Sequence, residues 1–215
     1  MGQSLINMLS PGPQQGAAGK TFGVVVGIVT NNQDPDKMGR IKVSFPWLAD
    51  SQESWWARIA TPMAGNSRGM YFLPEVNDEV LIAFEHGDMR FPYVVGALWN
   101  GKDAPPTTND DGQNNLREIK SRSGHIVRLD DTNGAEKIEV IDKTGGNSLT
   151  ISSSDNTITL TCTGRMKLQA MGIDITSQAD INIQAQSTMS IAADATMNIN
   201  SDATMTIQAS MVNIN

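Results

Sequence analysis

The chain of 215 residues has one cysteine, two histidines and few aromatics, which make up 5% of it. A lone Cys162 excludes an intramolecular disulfide framework. His86 and His125 lie in different segments, neither with ligand spacing to Cys162 or to the other, so no zinc motif is legible. Basic residues are in the minority: 16 Lys and Arg against 23 Asp and Glu give a net charge of −7. That balance argues against nucleic acid, where a basic patch is expected, and against attachment to an anionic membrane surface. Long apolar runs are missing too. The β-branched run Val24–Val29, interrupted by Gly27, is too short to span a bilayer. Residues 1–20 lack the basic stretch and apolar core of a signal peptide, so synthesis without export by that route is expected. Neither Gly-x-Ser-x-Gly nor a phosphate loop occurs.

What is present is a repeat. Ile151, Leu160, Leu168, Ile175, Ile183, Ile191, Ile199, Ile207 and Ile214 recur at separations of seven to nine residues, mostly eight. Two residues before each stands a second apolar residue: Leu149, Ile158, Met166, Ile173, Ile181, Met189, Met197, Met205 and Val212. Two residues after the first eight stands a small one, from Ser153 and Cys162 to Ala209. Period-two alternation means a strand with one buried face, and a fixed return means a repeat architecture. About five residues make a side of roughly 17 Å, and about three turn a corner, so three sides close a triangular prism. Asp194–Thr196 and Asp202–Thr204 read as solvated corners. A single chain would make a short prism with a thin core. Three intertwined chains would stack about nine layers into a rod of roughly 40 Å. The expected trimer core is Ile158, Leu160, Leu168, Ile175, Ile181, Ile183, Met189, Ile191, Met197, Ile199, Met205 and Ile207. Cys162 takes a small inward position there, as a core thiol.

Ahead of the repeat, residues 1–20 have tail composition; disorder is the expectation, with Leu5, Ile6, Met8 and Leu9 as a contact segment that orders on a partner the alternative. Residues 21–100 read as a small barrel of five strands, Thr21–Thr30, Arg40–Phe45, Trp55–Ile59, Glu79–Glu85 and Pro92–Leu98, the strand count of an OB-fold. Gly39 is expected at positive φ, closing the turn before the second strand. Trp47, Trp55, Trp56 and Trp99 either stack on bases or serve barrel core or subunit interface, and the acidic balance favours the latter. Residues 101–116 have linker composition. Residues 117–146 form a β transition region, with a tight turn at Asn133-Gly134, and residues 147–215 the octad spike. Asp130-Asp131 before Thr132-Asn133-Gly134 reads as turn chemistry, not as a catalytic carboxylate pair.

The text V-V-G-I-V-T-N-N-x-D-P-D-K-M-G-R-I-K-V-S-F-P-W of residues 25–47 resembles the OB domain of VgrG and contractile-tail spike proteins. So do residues 55–88 and R-F-P-Y-V-V-G-A-L-W-N of residues 90–100, and S-G-H-I-V-R-L-D-D-T-N-G-A-E-K-I of 123–138 is similar to the family segment leading into the prism. Asn77 stands where the family often has Gly, and Asn tolerates the same left-handed backbone. The resemblance implies an all-β chain, an N-terminal OB-fold barrel followed by an intertwined homotrimeric triangular β-helix. Some family members carry a lysozyme or effector domain, but no residues of this chain set up an active site, so no enzyme, no cofactor and no metal are expected. Its expected partners are a baseplate hub at the barrel end, a PAAR-repeat tip protein at the other end and the target envelope on firing, within an assembled injection particle or virion tail. With no His after His125, a metal-binding His-x-His apex is not available, so Val212, Asn213, Ile214 and Asn215 are the expected docking surface for a separate tip. The rival class is a trimeric tailspike or fibre that binds surface glycan. Rod faces of Ser, Thr, Asn and Asp without aromatics argue against it.

Overall fold

A computed structural model describes residues 19–48 and 52–214. Leu5, Ile6, Met8, Leu9 and Asn215 lie outside the described residues. The chain divides into two units, one ending at Thr163 and one beginning at Gly164. The described residues are all-β, with a single turn of 3-10 helix at Glu85–Gly87.

The first unit opens with β1 (Val24–Asn31) and β2 (Lys42–Ser44), followed by β3 (Arg58–Ile59). After a short hairpin of β4 (Ala64–Gly65) and β5 (Arg68–Gly69) come β6 (Glu79–Phe84) and β7 (Pro92–Leu98). The sheet order is β2-β1-β6-β7-β3, antiparallel except for the parallel pair β3 and β7. Isolated bridges Ile41↔Ala57 and Ser44↔Glu53 join β2 back to the segment entering β3. The sheet thereby closes on itself as a five-stranded barrel with OB connectivity, which leaves no long open edge. Alternation fills it: Val80, Ile82 and Phe84 of β6 point inward to meet Val29, Ile41, Val43, Phe45, Ala57 and Val94. Gly27 belongs to this packing, because a Cβ there would lie 3.0 Å from Val43 Cγ2 and 3.2 Å from Ile82 Cγ1. Where β2 meets the incoming segment, the buried Ser54 hydroxyl accepts the Val43 N–H at 3.0 Å and donates to the Trp55 carbonyl at 2.7 Å.

The tryptophans are not barrel core. Trp47, Trp55 and Trp99 are exposed, and Trp56 lies under Arg40 and Lys42, whose cationic ends sit 5.8 and 5.5 Å from its ring centroid. The five strands fill a small barrel with β-branched residues and Phe, so no volume remains for an indole.

The β1–β2 turn is organised by Asp34. Its carboxylate accepts the backbone N–H groups of Asp36, Met38 and Arg40 and a bidentate guanidinium contact from Arg40 at 2.9 and 2.7 Å. Gly39 has φ +70°, as the turn requires. Asn77 takes φ +79° at the turn into β6. The Arg40 guanidinium holds the Asp34 carboxyl far below the usual carboxylate range. Arg90, through its side chain and its backbone N–H, lowers Asp88 from 3.8 to about 2. Both folded values lie below the unfolded ones, so this stabilisation is complete above about pH 4 and is lost as pH falls through the folded values. The expected result is a melting temperature that drops steeply between about pH 4 and pH 2. Asp34→Asn lowers stability at neutral pH and flattens that acid limb, as circular-dichroism melts across the range would record; an unchanged limb would remove Asp34 from this role.

The second sheet is an antiparallel meander of β8 (Leu116–Lys120), β9 (Ile126–Asp130), β10 (Lys137–Ile141), β11 (Ser148–Ser152) and β12 (Thr157–Thr161). The reading of residues 147–161 as the first rungs of the prism differs from this pairing. β11 and β12 reverse as a hairpin, with Leu149 opposite Leu160 and Ile151 opposite Ile158. The cause is local. Ile151 and Leu160 are nine residues apart, the widest spacing in the series. The extra length holds a turn in which Asn156 takes φ +56° and Asp155 accepts the Thr157 N–H and hydroxyl.

The second unit has no assigned helix or strand among its described residues and bends at 164, 171, 178–179, 186–187, 194–195, 202–203 and 210. The bends thus return about every eight residues, at the corners the repeat predicts. Among the described residues 165–214 no two backbone groups hydrogen-bond to each other.

Candidate functional site

The residues that chemistry would need are used structurally. Asp130 accepts the Thr132 N–H at 3.0 Å and its hydroxyl at 2.6 Å, the latter the main cause of its lowered pKa. Asp131 pairs with Arg117 at 2.6 Å. Asn133-Gly134 sits in the expected turn, with the Ala135 N–H bonded to the Thr132 carbonyl and Gly134 at φ +76°. His125 Nδ1 accepts the Lys143 N–H at 3.2 Å, and His86 lies in the turn between β6 and β7 with φ +49°. Among the described residues no three His, Cys, Asp or Glu side chains gather as metal ligands, and no helix is long and apolar enough to cross a membrane.

What the structure does offer is unpartnered apolar surface of high regularity. On the meander, register aligns Ile119, Val127, Val140, Leu149 and Leu160 in one cross-strand row. Leu129, Ile138, Ile151 and Ile158 form a second row on the same face. Most of these side chains are exposed. The opposite face carries Glu118, Arg128, Lys137 and Glu139. Arg128 bonds Glu118 at 2.8 Å, and Lys137 meets Glu139 at 3.1 Å. The Glu118 side chain is only 2% exposed. The sheet thus shields its charges and presents its aliphatics to solvent, the reverse of what an isolated sheet in water favours. Sequence alternation between 116 and 141 carries this signal, although the transition region offered no means of saying which face would be covered.

The second unit repeats the pattern. Ile183, Ile191, Ile199 and Ile207 are 70%, 69%, 67% and 70% exposed, a near-constant value that reports one geometry used four times. Leu168, Ile175, Ile181, Met189, Met197 and Met205 are exposed as well. At the end of the chain Val212 and Ile214 are exposed beside Asn213. Ile158 and Leu160, grouped with the rod by sequence, stand instead on the meander.

Residues 25–99 match the family model of the type VI secretion system/phage-baseplate injector OB domain. The chain is 32% identical over 139 residues, 60% of its length, to the type VI secretion system spike protein VgrG4b of Pseudomonas aeruginosa, of which it covers 17%. It is 27% identical over 148 residues, 65% of its length, to VgrG2a of the same organism, covering 18% of that protein. It is 30% identical over 102 residues, 46% of its length, to the actin cross-linking toxin VgrG1 of Vibrio cholerae, covering 9% of it. The chain therefore spans less than a fifth of these three relatives. The closed barrel is an injector-type OB domain. The chain that carries it is similar to VgrG spike proteins over part of its length.

Proposed function

We propose that this chain is the non-enzymatic central spike of a contractile injection apparatus, acting as a homotrimer. The observation that carries the reading is the second unit: over residues 165–214 the backbone makes no bond to itself, bends about every eight residues and leaves two apolar side chains, two residues apart, exposed in each octad. Unpaired backbone donors and acceptors are costly unless water or another strand satisfies them. Two further copies supply those strands, bury the aliphatic column and close a triangular prism. The exposed apolar face of the meander supports the same assembly. The injector OB domain match and the likeness to spike proteins support a barrel seated on a baseplate hub, with residues 101–116 leading toward the rod. The rod transmits the force of contraction to the target envelope, and the particle or virion tail is where the protein resides.

Docking of a PAAR-type tip at Val212, Asn213, Ile214 and Asn215 belongs to the same proposal, because three copies would bring the exposed Val212 and Ile214 side chains together there. Light scattering is expected to give a trimer, about three times the 23.2 kDa of the chain. Deleting residues 212–215 is expected to leave that trimer intact and abolish co-migration with a PAAR-type protein from the same source. A stable folded monomer would overturn the trimer; equal tip binding by both rods would move the docking site elsewhere.

A further inference from the structure

The barrel carries a groove of about 820 Å³ between the β1–β2 turn and the segment joining β3 to β6. Its walls are held from several sides. The Ala60 N–H bonds the Val94 carbonyl at 2.8 Å, the Met70 N–H bonds the Met63 carbonyl at 3.0 Å, and the Thr61 hydroxyl donates to the Met70 carbonyl at 2.8 Å. Gly69 is required here, since at φ +152° a Cβ would stand 2.5 Å from the Met63 carbonyl oxygen. At the far end Asn32 Nδ2 donates to the Pro74 carbonyl at 3.0 Å, and Leu73 packs on the barrel core. Across the groove Tyr71 approaches Gly39, whose Cβ position lies 3.7 Å from Tyr71 Cε2.

The lining has a distinct composition. Met38, Met63, Met70, Tyr71 and Phe72 are all exposed within it. Methionines and aromatics adapt to varied apolar side chains at little conformational cost. No carboxylate lines the groove, whereas Lys37, Arg40, Arg58 and Arg68 do. Arg40 is matched by Asp34 and Asp36, but among the described residues no carboxylate lies within ion-pair distance of Lys37, Arg58 or Arg68. An apolar floor with three unmatched cations is opposite in sign to a chain of net charge −7.

We propose that this groove docks an extended acidic segment of a partner protein, seating large apolar side chains between Tyr71 and the methionines while its carboxylates meet Arg58, Arg68 and Lys37. The inference stands on the barrel alone and does not depend on the spike reading.

The test uses the full chain and a fluorescein-labelled decapeptide in which glutamates alternate with leucine and phenylalanine, an arrangement that puts the apolar side chains on one face of a strand. Fluorescence polarisation is expected to show salt-sensitive binding, weakened about tenfold or more by Arg58→Glu with Arg68→Glu, and similarly by the same peptide with lysines for glutamates. Labelled-methyl spectra are expected to shift at Met38, Met63 and Met70 and not at Met189, Met197 or Met205. Arg58 and Arg68 are exposed, and an unchanged melt of the double variant confirms that it folds. No binding, equal binding of the lysine peptide, shifts confined to the rod methionines, or tighter binding of a single-stranded oligonucleotide at the same methyls would each overturn the proposal.

Discussion

Ile183→Asp is expected to abolish assembly, leaving a chain that sediments as monomer or aggregates. In the proposed trimeric rod Ile183 would be a second-position core residue, so the substitution would put three unpaired carboxylates at one height on the axis. Each buried charge without a partner costs roughly 3–5 kcal/mol, so three together cost on the order of 10 kcal/mol per trimer. The lost burial of three isoleucines adds about 2 kcal/mol for each. Ser190→Asp, one residue from Ile191 on the opposite side of the strand, places its charge in water and should leave the trimer and its melting temperature nearly unchanged. Size-exclusion chromatography with light scattering separates the two results. If both variants assembled and melted alike, the inward register of the octads would be wrong, and with it the column from Leu168 to Ile207.

Ile82→Ala is expected to unfold the barrel first and leave the rod standing. Ile82 is fully buried and central to the barrel, against Val43 and the close approach at Gly27. Truncating it removes three carbons and leaves a cavity that the closed strands cannot collapse around, a loss of about 2–5 kcal/mol. For a barrel of this size that lowers its transition by roughly 10–40 °C. Val24→Ala, at an exposed position of β1, serves as the control and should cost less than about 1 kcal/mol. Differential scanning calorimetry is the measurement, with two transitions expected in the parent and only the barrel transition displaced in the variant. A concerted shift of both would mean that barrel and rod unfold as one unit.

The two variants address different kinds of stability. The barrel buries its core within one chain, so its strength is intrinsic. The proposed rod is completed only by its copies, so its strength would depend on chain concentration.

Much of this was readable from residue order, because the periods are short and the residues carrying them are chemically distinct. Alternation marked each of the five barrel strands to within a few residues, since a strand with one face in a core must alternate. The octads announced their corners by Asp-Ala-Thr, and bends fall at those corners. Gly39 and Asn77 were legible because so few residues tolerate positive φ. Tertiary structure alone decided what depends on packing between distant segments. The tryptophans lie on the surface because the barrel's interior is already filled by small β-branched residues and phenylalanines. The segment of residues 147–161 pairs with itself because one additional residue made room for a reversing turn, an energetic choice between two pairings that the same alternation serves equally well. The hairpin at Ala64–Gly69 and the cationic, methionine-lined groove beside it come from segments brought together by barrel closure. No period in the sequence encodes that neighbourhood, because the side chains forming it are separated along the chain and meet only when the sheet closes.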